Sequence, residues 1–287
     1  MARRIAFLFL VLFTFAVPAF PQGSLASARP VVVQGAMRSE TEKLVSRLND
    51  VSIEKVGGWT FWRGTVDGYP VIVSRTLKGV ANAAAATTIV IERYDPIAII
   101  NQGTAGGFEP SLHLYDIVLG TSSVSLGAFK TPYRPSGAGS NTLDWVPLNL
   151  LLEGSAGNDS AAHKVARFPG DSVLLATARS VARLYTRGHV VDGVIGSSDM
   201  WNDEIDRIER FHTMYGASVE DMETVSAAQI SNLFHVPFLG IRVISDNTTN
   251  GDAFEPKTGE ACEDYVYQVV KAYAATLVHQ ASNTGRK

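Results

Sequence analysis

From Val31 onward, short apolar runs with strand chemistry alternate with stretches of helical periodicity, and nothing else in the chain limits its fold so tightly. Val31-Val32-Val33 is a compact strand. It runs through Gly35-Ala36-Met37 into a helix expected to carry Met37, Leu44, Val45 and Leu48 on one face. Trp59 to Val66 and Tyr69 to Ser74 flank Asp67-Gly68, a two-residue hairpin signal. An alanine-rich helix is predicted over Val80 to Arg93, and a strand over Pro96 to Asn101. Further helices are expected at Leu174 to Tyr185, Ile205 to Tyr215, Met222 to Leu233 and Tyr265 to Leu277, and further strands at His189 to Ile195 and Pro237 to Ser245. Strands interleaved with helices predict a mixed α/β layer fold, not a sandwich. Gly127 to Gly170, rich in Pro, Gly, Ser and Asn with one apolar patch at Trp145 to Leu152, reads as a long surface excursion over a site.

The 287 residues are 46% hydrophobic and carry a net charge of -3, enough apolar material for one large core. There is no basic or acidic block, so nucleic acid is not an expected partner. Met1-Ala2-Arg3-Arg4 is a short positive segment, Ile5 to Val17 is apolar, and small residues follow at Ala26-Ser27-Ala28. That is the layout of a secretory signal peptide, with an apolar run short for a membrane span. Residues 1–28 are therefore expected to be a leader, 29–280 one α/β domain and 281–287 a disordered tail. The mature protein would be secreted or periplasmic and free of the membrane. The single cysteine, Cys262, forms no internal disulfide and reads as structural, and no spacing suggests a metal site.

The strand at Ile100 runs into Gly103-Thr104-Ala105-Gly106-Gly107. A phosphate-binding P-loop would need Lys and Ser or Thr after its glycines, and Phe108-Glu109-Pro110 offers neither. Pro110 also fits poorly with a dinucleotide fingerprint. A plain tight turn and a ligand-approach turn both stay open, since adjacent glycines let a ligand come close to backbone N–H groups. Three more places carry acids in similar surroundings. Gly35-Ala36-Met37 is followed by Glu40; Val219-Glu220-Asp221-Met222-Glu223 leads into a helix; Val243-Ile244-Ser245-Asp246 ends the most apolar strand. Glu40 and Glu223 have an alternative reading as favourable charges at helix N-termini, and Asp246 as an ordinary turn residue.

Taken in order, G-A-M-x-x-E, I-N-x-G-[ST]-A-G-G, V-E-x-M-E and R-V-I-S-D resemble the nucleoside phosphorylase/hydrolase superfamily, and most of all its 5'-methylthioadenosine/S-adenosylhomocysteine nucleosidases. The resemblance runs from about Val31 to Leu277. It implies a single α/β domain with a central mixed, partly barrel-like sheet flanked by helices, and a homodimer. It further implies that Asp246 protonates the leaving purine at N7, with its pKa raised by burial. Glu40 would deprotonate the attacking water, near Thr104. Glu223 would accept hydrogen bonds from the ribose hydroxyls, with Met222 and Met37 against the sugar. Trp201 takes the place of the aromatic that stacks on the base, a core tryptophan being the other reading, and backbone around Asn202 would read the adenine edge.

The implied activity is hydrolysis of the N-ribosidic bond of purine nucleosides, adenine type first, with no metal or organic cofactor. Phosphorolysis is the competing chemistry and needs cations for a dianion. Asn101 stands where phosphorylase relatives carry an arginine, leaving only Arg38 and Arg75 nearby in sequence, and Glu40 would repel phosphate. A secreted nucleoside-binding or storage protein without turnover is the reading from another class. The chain departs from the pattern at Asp221, an extra residue expected to form a bulge, and in the excursion, which replaces a stretch that shapes the 5' end of the pocket in relatives.

Overall fold

The computed structural model describes residues 28–154 and 160–284. The expected leader, apart from Ala28, lies outside the described residues, as do 285–287. The chain opens with β1 (Val31–Gly35), a 3-10 turn at Arg38–Glu40 and the short α1 (Glu42–Val45). Next come β2 (Asn49–Val56), β3 (Trp59–Val66), β4 (Tyr69–Arg75), α2 (Val80–Tyr94), β5 (Ala98–Gly107) and β6 (Ile117–Ser125). The excursion holds β7 (Phe129–Lys130), β8 (Val146–Pro147), β9 (Leu150–Glu153), β10 (His163–Val165) and β11 (Phe168–Pro169). The last third contains α3 (Ser172–Val181), β12 (Val190–Ser197), α4 (Ile205–Tyr215), β13 (Ala217–Asp221), α5 (Thr224–Leu233), β14 (Phe238–Asp246) and α6 (Thr258–Thr284).

One mixed sheet organises the molecule. Five of its strands close on themselves, β5 to β14 to β6 to β12 to β13 and back to β5, while β1, β4, β3 and β2 extend it as an open arm from β5. This is the mixed, partly barrel-like sheet that the resemblance implies. β1 opens with three consecutive valines because parallel partners, β4 and β5, flank it and both its faces are buried. Asp67 and Gly68 both take positive φ, at 49° and 80°, which the tight β3–β4 turn requires. The main core packs β1, β4 and β14 against α6, with Val31, Val73, Ile241, Val266 and Val270 at its centre. Cys262 is part of it, fully buried, and burial pushes its thiol up to about 12, the state of an inert packing residue.

Four expectations change. Gly103–Gly107 is not a turn: β5 continues as a strand through Gly107 and pairs with β14 on one edge and β13 on the other. The helix after Met37 is broken into a 3-10 turn and a single α turn. Asp221 is not a bulge, since it pairs in register with Ser197, and the extra residue of β13 falls at Ser218 instead. α6 begins at Thr258 and continues through Thr284, into the segment read as a tail. β2, β6, β13 and the short β7 to β11 were not evident from the sequence. β2 is polar and mostly exposed, and β6 breaks its apolar run with Gly120-Thr121-Ser122-Ser123.

Candidate active site

The strand ends that the sequence singles out converge on one cleft. It holds about 620 Å³ of empty space open to solvent, between β1, β5, β13 and β14. β1 and β14 both run parallel to β5, so their C-terminal ends meet at one edge, where ligands bind in α/β sheets. β13 arrives antiparallel and crosses β5 at Gly106 and Gly107, which brings Glu220 and the residues after it to the same place.

Glu40 is 3% exposed and sits at the end of the 3-10 turn, from which its carboxylate folds back into the cleft. Oε2 accepts the Ala36 and Met37 backbone N–H groups at 2.9 and 3.0 Å. Oε1 accepts the Thr104 N–H at 2.9 Å and the Thr104 hydroxyl at 3.0 Å. Four donors from two elements hold one carboxyl group and fix its orientation. The need for glycine on β5 follows from this. A Cβ on Gly103 would stand 2.7 Å from Glu40 Oε1 and 2.9 Å from its Cδ. Gly103 is glycine for space, not for a turn.

Asp246 ends β14 and is 9% exposed. The ladder with β5 slips by one residue here, so that Ala105 pairs with Ile244 and Gly106 with Asp246. Such an irregularity re-aims a side chain, as bulges beside active sites do. Burial raises the Asp246 pKa above the usual carboxylate range, offset in part by the Ser245 hydroxyl, which donates to Oδ1 at 2.7 Å. A carboxyl that stays protonated at higher pH than usual is suited to giving up a proton.

Glu223 is buried, and its Oε1 accepts the Gly79 N–H at 2.8 Å. Burial, and then the Asp221 and Glu40 carboxylates, push its pKa up. Gly79 has a φ of 102°, and a Cβ there would also meet Asp199 at 2.9 Å, so only glycine presents this N–H to Glu223. Met37 and Met222, both half-buried, line the cleft. Trp201 is no core residue: it is 57% exposed at the cleft mouth and meets Phe254 edge-on, with ring centroids 5.7 Å apart. Asn202 departs from expectation. It is buried, its backbone N–H donates to Glu220 Oε1 at 2.6 Å, and its side-chain amide donates to Glu220 Oε2. That N–H is engaged by protein and not turned toward a base.

Two buried charged residues at the cleft were not singled out by the sequence. Arg242 is fully buried, its Nε donating to Asp221 at 2.7 Å and its Nη1 to the Asn101 carbonyl at 2.9 Å. Glu220 lines the Asp246 end of the cleft. Both stand inside the quoted motifs, and their burial alone separates them from surface charges. The excursion over 127–170 contributes no cleft residue among those described. It packs instead on α4 through Phe129, Trp145 and Phe211, and its residues 155–159 lie outside the described residues.

Acidic side chains predominate in the cleft. Glu40, Glu220, Asp221, Glu223 and Asp246 line it, with Lys78 the one cationic side chain among the described residues. Arg38 is engaged by Glu42, and Arg75 donates to Thr41 while lying over Trp62. Neither lines the cleft.

Fold and cleft together define an α/β protein whose mixed barrel carries a carboxyl-lined cleft, with the hydrogen-bonded Glu40 at one end and Asp246, of raised pKa, at the other. The chain belongs to the phosphorylase superfamily, whose family model matches residues 30–276. It is 30% identical over 224 residues to the 5'-methylthioadenosine/S-adenosylhomocysteine nucleosidase of Bacillus thuringiensis (strain Al Hakam), covering 75% of this chain and 85% of that protein. The Bacillus cytotoxicus nucleosidase is 28% identical over 254 residues, covering 84% of this chain and 98% of the relative. Among solved structures, the Neisseria meningitidis nucleosidase in complex with methylthio-immucillin-A superposes with a TM-score of 0.69 at 24% identity, covering 85% of this chain and all of that one. Futalosine hydrolase of Helicobacter pylori gives 0.67 at 22%, over 85% of this chain and 97% of its own. At these identities the two structures bear on the fold.

Proposed function

We propose that this protein hydrolyses the N-ribosidic bond of purine nucleosides of the 5'-methylthioadenosine/S-adenosylhomocysteine type, releasing adenine. One observation carries the reading: Glu40, fixed by four hydrogen bonds, and Asp246, buried with a raised pKa, face the same cleft from either end of a glycine-bearing stretch of β5. Gly103, against Glu40, and Gly106, 3.4 Å from Asp246 through its would-be Cβ, are three residues apart. That is about 10 Å along an extended strand, room for a ribose and a water.

Breaking the C1'–N9 bond leaves an electron-poor ribose and pushes the bonding pair onto the base. Asp246 supplies a proton to purine N7, so that the base departs neutral. Water attacks C1' from the opposite side and passes a proton to Glu40. The products are free adenine and the ribose. Glu223, backed by the Gly79 N–H, is placed to accept from the ribose hydroxyls while Met37 and Met222 pack on the sugar. The Trp201–Phe254 pair offers aromatic surface to the base, a contact worth about 1–3 kcal/mol per base.

Among the described residues no arginine lines the cleft, so a phosphate dianion would find no bidentate clamp there, which supports water as the nucleophile. The test is base release from 5'-methylthioadenosine, adenosine and inosine, each with and without phosphate. Adenine released without phosphate is the expected result. Release only with phosphate would make the protein a phosphorylase, and nucleoside binding without release would make it a binding or storage protein. The leader-like residues 1–28 support action outside the cytoplasm, and the family resemblance supports a homodimer.

A further inference from the structure

Glu220 has no part in the chemistry above, yet it is 6% exposed and lines the same cleft. It sits at the base end. A Cβ placed on Gly106 would lie 3.4 Å from Asp246 Oδ2, 3.6 Å from Glu220 Cγ and 3.9 Å from Glu220 Oε1, so the two carboxylates flank one spot on β5. Asn202, next to the aromatic Trp201, fixes the Glu220 carboxylate from the other side with its backbone N–H and its side-chain amide.

Purine geometry gives this placement a consequence. N7 and the substituent on C6 lie side by side on the same edge of the ring, so a group beside the proton donor for N7 meets the 6-position. A carboxylate accepts hydrogen bonds and has none to give when ionised. It therefore receives an exocyclic amino group and repels a 6-oxo oxygen. Resting on the purine nucleoside reading above, we infer that Glu220 is the residue of this cleft that selects 6-aminopurine over 6-oxopurine nucleosides. A 6-oxo oxygen there would set acceptor against acceptor with no proton between them, a desolvated contact that a 6-amino group turns into a hydrogen bond.

Protonation should tune the choice. Burial, the largest influence, lifts Glu220 to about 7, against the hydrogen bonds from Asn202; the neighbouring Asp246 and Asp221 carboxylates add to the rise. Above that value Glu220 is an acceptor only, and below it the carboxylic acid can donate to a 6-oxo oxygen. Discrimination against inosine is thus expected to be strong at pH 8 and weaker at pH 6.

The experiment compares kcat/KM for adenosine against inosine, and for the matched 5'-methylthio pair, in the full chain and in Glu220→Gln across pH 6 to 8.5. The amide keeps the shape of the side chain and adds a donor. The adenosine-to-inosine ratio is expected to fall by tenfold or more in the variant and to lose its pH dependence. A ratio within twofold of the unmodified protein at every pH would overturn the inference, including the case in which Glu220 merely braces Asn202 and both substrates slow equally. Calorimetric binding of free adenine and hypoxanthine provides a readout independent of turnover, with the affinity ratio expected to shift the same way. Adenine release with an unshifted ratio would sink the Glu220 assignment alone; failure to bind any purine would sink it together with the purine reading.

Discussion

Glu40 and Asp246 are both carboxylates, and their surroundings divide the work between them. Four donors hold the Glu40 carboxyl in place, whereas burial raises the pKa of Asp246 above the usual carboxylate range. Glu40→Gln is expected to reduce hydrolysis by 10²-fold or more, the scale of losing a general base, while nucleoside binding by calorimetry is largely retained. Full activity in that variant would remove Glu40 from the mechanism. Asp246→Asn should lower turnover on adenine nucleosides by about 10²-fold or more. Because the acid form of Asp246 is the competent one, activity of the unmodified protein should fall as pH rises through its elevated pKa, and the variant should lose that alkaline limb. The sequence marked these residues through the order of their motifs, since each acid taken singly had an ordinary local reading. Nothing local indicates that Glu220, eighteen positions later, captures the Asn202 N–H.

At the scale of elements, β5 is where sequence and structure differ most usefully. Its glycines carry no positive φ and make no turn; they clear space for side chains arriving from other elements. Gly103→Ala is therefore expected to leave the fold intact, as judged by circular dichroism, and to lower kcat by about 10²-fold by pushing the Glu40 carboxylate aside. Unchanged kcat would mean that Glu40 can shift freely. α6 offers a second case. Glu263 is buried, its Oε2 accepts the Leu44 N–H at 2.6 Å, and its Oε1 has no partner. Burial lifts its pKa to about 8, so the folded state holds a proton that the unfolded chain, with an ordinary glutamate near 4.3, gives up far earlier. The stability contribution is full below about 4.3 and lost as pH rises through 8. The melting temperature should decline from pH 6 to pH 9, and Glu263→Gln should flatten that decline; equal slopes in both proteins would place the pH dependence elsewhere.

For the whole molecule, the expected quaternary state is a homodimer. Light scattering on the chain lacking residues 1–28 should give a mass near twice that of the protomer, and a monomer would set that expectation aside. Export is tested by fusing residues 1–28 to a reporter active only outside the cytoplasm, with a silent reporter as the contrary result.

The sequence alone determined the α/β class, the positions of the longer helices and those of β1, β3, β4, β5, β12 and β14, because apolar periodicity is a local property that each segment carries within itself. It also determined which strand ends hold acids, and their order along the chain carried the family resemblance. The tertiary structure decided what those acids meet. Closure of β5, β14, β6, β12 and β13 into a ring brings Glu40, Glu220, Asp221, Glu223 and Asp246 to one cleft, pairs Asp221 with the buried Arg242, and withholds Arg38 and Arg75 from it. Proximity across the sheet, burial and the pKa shifts that follow depend on partners tens to hundreds of residues away, and no local pattern encodes them.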